Sequence, residues 1–212
     1  MRTRIKICGL TREVDVVAAV AAGADAVGFV CYPQSPRYVT PARLRNLTRE
    51  LGVFVTPVLL FVNAAPDLVE GALEMVPTGW LQFHGHEHEP ACSRYQRPYI
   101  RAVPITDSTD FPHAEREFGS AAALLVDAPS AEFGGSGRSF NWSLLLLNTP
   151  RLRPLVLAGG LNAENVGAAI GEVRPHAVDV SSGVEQEPGV KSVSKMQHFV
   201  DAVRSADQRL TA

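Results

Sequence analysis

The chain has 212 residues, 46% of them hydrophobic and 20% charged, with a formal net charge of −2. That is enough apolar chain for one substantial core, and it lacks the basic stripe that tracks a phosphate backbone, so no nucleic-acid partner is expected. Three widely spaced cysteines, Cys8, Cys31 and Cys92, exclude a disulfide framework and a cysteine zinc site. The start Met1-Arg2-Thr3-Arg4 has no apolar signal core and no stretch reaches transmembrane length, so a cytoplasmic protein with no membrane partner is expected.

Arg4 to Cys8 reads as a short strand closing on a lone cysteine and Gly9. Val14, Val17, Ala18 and Ala21 then take helical spacing, with Thr11 as a candidate N-cap and Gly23 as the stop. Ala24 to Val30 is a second strand, followed by a loop through Pro33, Pro36 and Pro41 and a helix near residues 41 to 51.

The alternation continues. Val58 to Val62, Trp80 to Phe83, Tyr99 to Val103, Ala121 to Val126 ending on Asp127, Leu155 to Ala158 and Ala177 to Val180 read as strands. Helical patterns fall between them, through Val69 to Val76, Pro90 to Tyr95, residues 111 to 118, Trp142 to Leu147, and Val166 to Val173. A last helix carries Val193, Met196, Val200 and Val203. The strand runs are short and non-alternating, as strands covered on both faces are. Eight βα units without a linker predict an α/β chain forming one (β/α)₈ TIM barrel over residues 1–206, with 207–212 as a tail.

In such a barrel the residues just after the strands are the functional candidates. Cys8 alone reads most simply as a small buried hydrophobe, but a strand end with Lys6 nearby in sequence and Arg37 in a neighbouring loop is a setting that can favour the thiolate, and whether Cys8 is one at neutral pH stays open. Without a His-plus-Asn partner set, a general base is a more natural role than acyl transfer. Asp127 ends an apolar strand, where a carboxylate is costly unless it faces a polar cavity; it suits acid or base chemistry there, or it caps the next loop. Arg37 offers a planar fork for a carboxylate or phosphate. Gln82 and His84 follow the fourth strand into the mouth, and Gly159-Gly160 and Ser182-Gly183 follow the seventh and eighth, where a phosphate held by backbone amides needs close approach. A glycine-rich loop, Gly134 to Gly137, follows the sixth. His84, His86 and His88 alternate in a loop, without the i, i+4 geometry of zinc hydrolases, so no metal is expected.

Taken in order, Lys6-Ile7-Cys8-Gly9-Leu10-Thr11, Gly28 to Tyr38, Gln82-Phe83-His84-Gly85, Val126-Asp127-Ala128 with Gly134 to Gly137, Leu157 to Leu161, and Val180 to Glu185 resemble the phosphoribosylanthranilate isomerase family. The resemblance runs from about residue 4 to residue 200. It implies a cofactor-free and metal-free Amadori rearrangement of N-(5-phosphoribosyl)anthranilate in tryptophan biosynthesis, by a monomer or homodimer. It also implies that Asp127 is the general acid, Cys8 the general base, Arg37 a ligand of the anthranilate end, and Gly159, Gly160, Ser182 and Gly183 the phosphate site. Cys31, Gln34, Asn141 and Ser192 depart from the family pattern, none of them at the acid or base. The rival readings are the histidine-pathway aldose-ketose isomerase, which carries aspartate rather than cysteine after the first strand, a non-catalytic barrel that binds a phosphorylated ligand, and a metal-dependent hydrolase built on the histidine stretch.

Overall fold

Parallel strand pairing closes on itself in the computed structural model, which describes residues 2–128, 140–146 and 150–211. The strands are β1 (Arg4–Cys8), β2 (Ala26–Val30), β3 (Thr56–Phe61), β4 (Trp80–Phe83), β5 (Tyr99–Pro104), β6 (Ala123–Asp127), β7 (Leu155–Leu157) and β8 (Ala177–Val180). They form a closed barrel in sequence order, and β1 pairs with β8 through Lys6 opposite Asp179. The helices are α1 (Glu13–Ala22), α2 (Pro41–Thr48), α3 (Pro66–Met75), α4 (Glu89–Ser93), α5 (Asp110–Glu117), α6 (Val166–Val173) and α7 (Val193–Thr211). An antiparallel ribbon, β9 (Glu185–Glu187) with β10 (Val190–Lys191), lies between β8 and α7.

Alternation along each strand separates two apolar compartments. Outward residues such as Ile5, Ile7, Val27, Phe29, Leu124 and Val178 pack with helix residues including Val16, Ala169, Phe199 and Val203 in the main core. Inward residues fill the barrel in one layer of Val58, Ile100, Ala102, Ala123, Leu125, Val156 and Ala158, and another of Cys8, Val30, Leu60 and Val62. The interior is therefore packed, and only its rim is open to chemistry.

Three local expectations are corrected. Thr11 does not cap α1; its hydroxyl donates to the Gly189 carbonyl at 2.6 Å, and Arg12 occupies the N-cap. The buried face of α1 is Asp15, Val16, Ala19 and Ala22, while Val14 and Val17 are exposed. The helix is apolar at nearly every position, so spacing did not select a face; Asp15 does, accepting from Arg12 and from the Lys191 amide. Between β6 and β7, the described residues form a 3₁₀ turn over Trp142–Leu145, capped by the Asn141 side chain, rather than a helix reaching Leu147. The run of leucines there has no helical stripe, and Leu145 is buried while Leu146 is exposed. The loop Gly134 to Gly137 and Leu147 lie outside the described residues. At the other end, α7 runs through residue 206, and Asp207 accepts from the Thr3 amide and hydroxyl at 2.7 and 2.6 Å.

Candidate active site

Cys8 is the last residue of β1 and points into the barrel, where it is 4% exposed. Its register partner is Gly28, and a methyl group on Gly28 would stand 2.5 Å from the sulfur, so the absent side chain makes the space the thiol fills. Two positions earlier on the same inward face, the buried Lys6 ammonium lies 2.9 Å from Asp179. Burial works against the Lys6 charge, but Asp179 and Cys8 together outweigh it and hold the group above its ordinary value. For Cys8 burial dominates in the other sense: it raises the thiol above its ordinary value, and the opposing pull of Lys6 does not reverse it. Desolvation thus exceeds the charge attraction that Lys6 offers the thiolate.

Asp127 ends β6, inward and partly open, with its side chain 15% exposed. Oδ1 accepts from the Ala128 amide at 2.7 Å, so the loop-capping contact weighed from sequence is present. Oδ2 faces His84 Nε2 at 3.5 Å, too long for a hydrogen bond and within reach of an ion pair if the ring is protonated. The Gln82 amide nitrogen lies 3.2 Å from His84 Nδ1. Donation from that amide makes Nδ1 the acceptor and places the ring proton on Nε2, toward Asp127. Gln82 is wholly buried and its Oε1 has no hydrogen-bond partner, so it reaches the mouth through His84.

The loop that carries His84 is fixed from outside the barrel. Buried Arg101 on β5 donates to the carbonyls of Phe83 at 3.0 Å and Gly85 at 2.9 Å and pairs with Glu87 at 3.2 Å. Glu87 in turn accepts from the Asn63 and Gly85 amides. The histidine-rich stretch is therefore organised by its glutamate, and no group of three His, Cys, Asp or Glu residues is positioned for a metal among the described residues.

On the other side of the mouth, Arg37 binds Glu185 with both Nε, at 2.8 Å, and Nη2, at 2.7 Å. Lys191 reaches the same carboxylate at 2.8 Å and the Ser181 carbonyl at 3.1 Å. Burial opposes the Glu185 charge, yet the Arg37 and Lys191 contacts outweigh it and hold the carboxyl below its usual range. Glu185 thus takes Nε and Nη2 of the Arg37 fork, and Nη1 lies outside that pair.

Between these groups lie the turns after β7 and β8. Gly159 and Gly160 have φ of 83° and 61°, in the left-handed region that favours glycine, so the chain turns here with no side chain in the way. A methyl group on Gly159 would stand 3.0 Å from Asp127 Oδ1, so this turn adjoins the carboxylate. Ser182 and Gly183 open a 3₁₀ turn, and a methyl group on Gly183 would stand 2.0 Å from the Leu161 carbonyl, so the two turns are in close contact. The structure thus brings Asp127, His84, Gln82 and Gly159 together, and separately joins Gly183 to the β7 turn. Lys6, Asp179, Glu185, Lys191, Arg101 and Glu87 complete the surroundings and were not singled out as site residues from sequence. Their one legible signal is charge at inward or loop positions flanked by apolar residues, as in Ile5-Lys6-Ile7 and Val178-Asp179-Val180.

A family model described as N-(5'phosphoribosyl)anthranilate (PRA) isomerase matches residues 5–202. The N-(5'-phosphoribosyl)anthranilate isomerase of Dechloromonas aromatica is 52% identical over 210 residues, 99% of this chain and 100% of that protein. The crystal structure of phosphoribosyl anthranilate isomerase from Thermotoga maritima superposes with a TM-score of 0.88 at 41% identity, covering 96% of this chain and 99% of that one. A second structure of such an isomerase, in complex with reduced 1-(o-carboxyphenylamino)-1-deoxyribulose 5-phosphate, gives a TM-score of 0.85 at 39% identity with the same coverage.

Proposed function

The chain belongs to the phosphoribosylanthranilate isomerase family, and from that premise we propose that Asp127 and Cys8 divide the proton transfers of its reaction. The enzyme catalyses the Amadori rearrangement of N-(5-phosphoribosyl)anthranilate to 1-(2-carboxyphenylamino)-1-deoxyribulose 5-phosphate in tryptophan biosynthesis. Asp127, as general acid, gives a proton to the furanose ring oxygen as the anilino nitrogen lone pair forms the C1=N bond and the C1–O bond breaks. Cys8, as thiolate, takes the C2 proton, and the C1=N electrons return to nitrogen to give the enolamine. Loss of the enol proton and protonation at C1 yield the ketone, so the sequence is redox-neutral and balanced. Acid and base sit at separate strand ends, which lets their environments be set independently.

Arg37 Nη1 receives the anthranilate carboxylate, His84 lines the reacting end with Gln82 supporting it from behind, and Gly159, Gly160, Ser182 and Gly183 receive the phosphate. The observation that carries this reading is the single inward carboxylate of β6, next to the left-handed glycine pair and opposite His84. We place the enzyme in the cytoplasm, where a thiol such as Cys8 stays reduced. No helix among the described residues is long and apolar enough to cross a membrane. As to monomer or homodimer, Val53 and Phe54, 92% and 93% exposed between α2 and β3, are the apolar surface a homodimer would cover. The reading is tested with the purified chain by following the loss of anthranilate-adduct fluorescence, with and without chelator. Turnover unaffected by chelator is the expected result, and chelator-sensitive turnover would return the histidine stretch to consideration.

A further inference from the structure

Lys6 is a full charge inside a packed barrel, 3% exposed, and its pairing with Asp179 does not by itself explain its place. Replacing a buried ion pair by apolar residues of similar volume is often neutral or stabilising, so such a pair is weak evidence for a stabilising role. What distinguishes this pair is its neighbour. Residues 6 and 8 of β1 face the same side, so the ammonium and the Cys8 thiol share one inward face and act on each other's charge. The ammonium has three donors, and Asp179 Oδ1 takes one of them at 2.9 Å.

We propose that Lys6 is a positioning residue for C2 proton abstraction: its ammonium is the counterion of the Cys8 thiolate, and Asp179 both fixes that ammonium and competes with the thiolate for it. The inference rests on the reading of Cys8 as the base. When the thiolate accepts the C2 proton its charge is lost, the electron pair of that bond moves into the enolamine, and Lys6 remains paired with Asp179.

The other surroundings of the sulfur are consistent with this division. Gly28 and Val30 from β2, Leu60 from β3 and Val62 just after it are apolar, and Tyr32 packs at the edge of the same group. Asp179 on β8 and Lys191 on β10 are the other charges that act on the thiol, and Cys8 acts in turn on Arg37. Among the forces opposing desolvation at Cys8, Lys6 is the largest, and Asp179 partly cancels it.

The test reads Cys8 itself. The rate of Cys8 alkylation by iodoacetamide, followed by mass spectrometry of its peptide across pH, gives the thiol titration in the intact enzyme without reference to turnover. Lys6→Met is expected to move that titration up by about one pH unit or more, a tenfold slower alkylation near neutral pH. Asp179→Asn is expected to move it down. Because Lys6→Met leaves Asp179 buried and unpaired, the double variant Lys6→Met with Asp179→Leu removes both charges; it is expected to fold and to titrate above the wild type but below Lys6→Met. An unmoved titration in the double variant, or the two single variants moving it in the same direction, overturns the assignment. If the titration moves as expected while the pH profile of kcat stays in place, Lys6 stands as the counterion and Cys8 is not the base.

Discussion

Arg37 grips Glu185 through two parallel contacts, Nε to Oε1 at 2.8 Å and Nη2 to Oε2 at 2.7 Å, across 148 residues of sequence. The pair is 12% and 6% exposed at its side chains, so it is shielded from solvent and rigid where a surface pair would not be. Glu185→Gln is expected to raise KM about tenfold, the scale of one charge-assisted hydrogen bond, with a smaller change in kcat. Arg37→Lys keeps the charge and loses the fork, and should raise KM as well. Steady-state kinetics of both variants check this; an unchanged KM in both would remove Arg37 from ligand binding.

Gly28 bears on the reaction without any chemistry of its own. A side chain there meets Cys8 Sγ at 2.5 Å and Cys8 Cα at 3.1 Å, so Gly28→Ala must displace the thiol or part β1 from β2. A displacement of about 1 Å can cost about 10²-fold in rate, and a loss of that order in kcat is the expected result. Thermal melting separates the two responses: displacement of the thiol alone leaves the melting temperature near that of the wild type.

The protonation of Cys8 predicts the shape of the pH profile. Burial raises the thiol above its ordinary value, so in the free enzyme the thiolate fraction keeps increasing with pH beyond about 8.5, the reference for an unperturbed cysteine. The rate of Cys8 alkylation by iodoacetamide should therefore still be rising there. An alkylation rate already at its plateau near neutral pH would contradict a Cys8 thiol raised by burial.

The turns after β7 and β8 touch through Gly183 and the Leu161 carbonyl, where an added methyl group would stand at 2.0 Å. Gly183→Ala should push the two turns apart, raising KM for the phosphorylated substrate and weakening competitive inhibition by inorganic phosphate. Inhibition unchanged from the wild type would place the phosphate elsewhere on the rim.

The order of strands and the residues at their ends were legible because each strand is a short apolar run broken by a polar residue or glycine, as at Cys8, Asp127 and Gly159. The facing of α1 was not, since a helix of Val and Ala presents apolar residues on every side and only the burial of Asp15 fixes it. Nor were the charged partners. Lys6 meets Asp179 across 173 residues and Arg37 meets Glu185 across 148, contacts that exist only once the barrel closes. The same closure decides the state of Cys8: sequence shows a lysine two residues away, whereas the desolvation that outweighs it comes from β2 and β3.

The central claim, that Cys8 and Asp127 carry the two proton transfers, is tested most directly by kcat for Cys8→Ser and Asp127→Asn in the anthranilate-fluorescence assay. General acid–base groups are worth about 10²–10⁴-fold, so each variant should lose at least about 10²-fold with its barrel intact by circular dichroism. A folded variant of either kind that turns over at close to the wild-type rate would contradict the account.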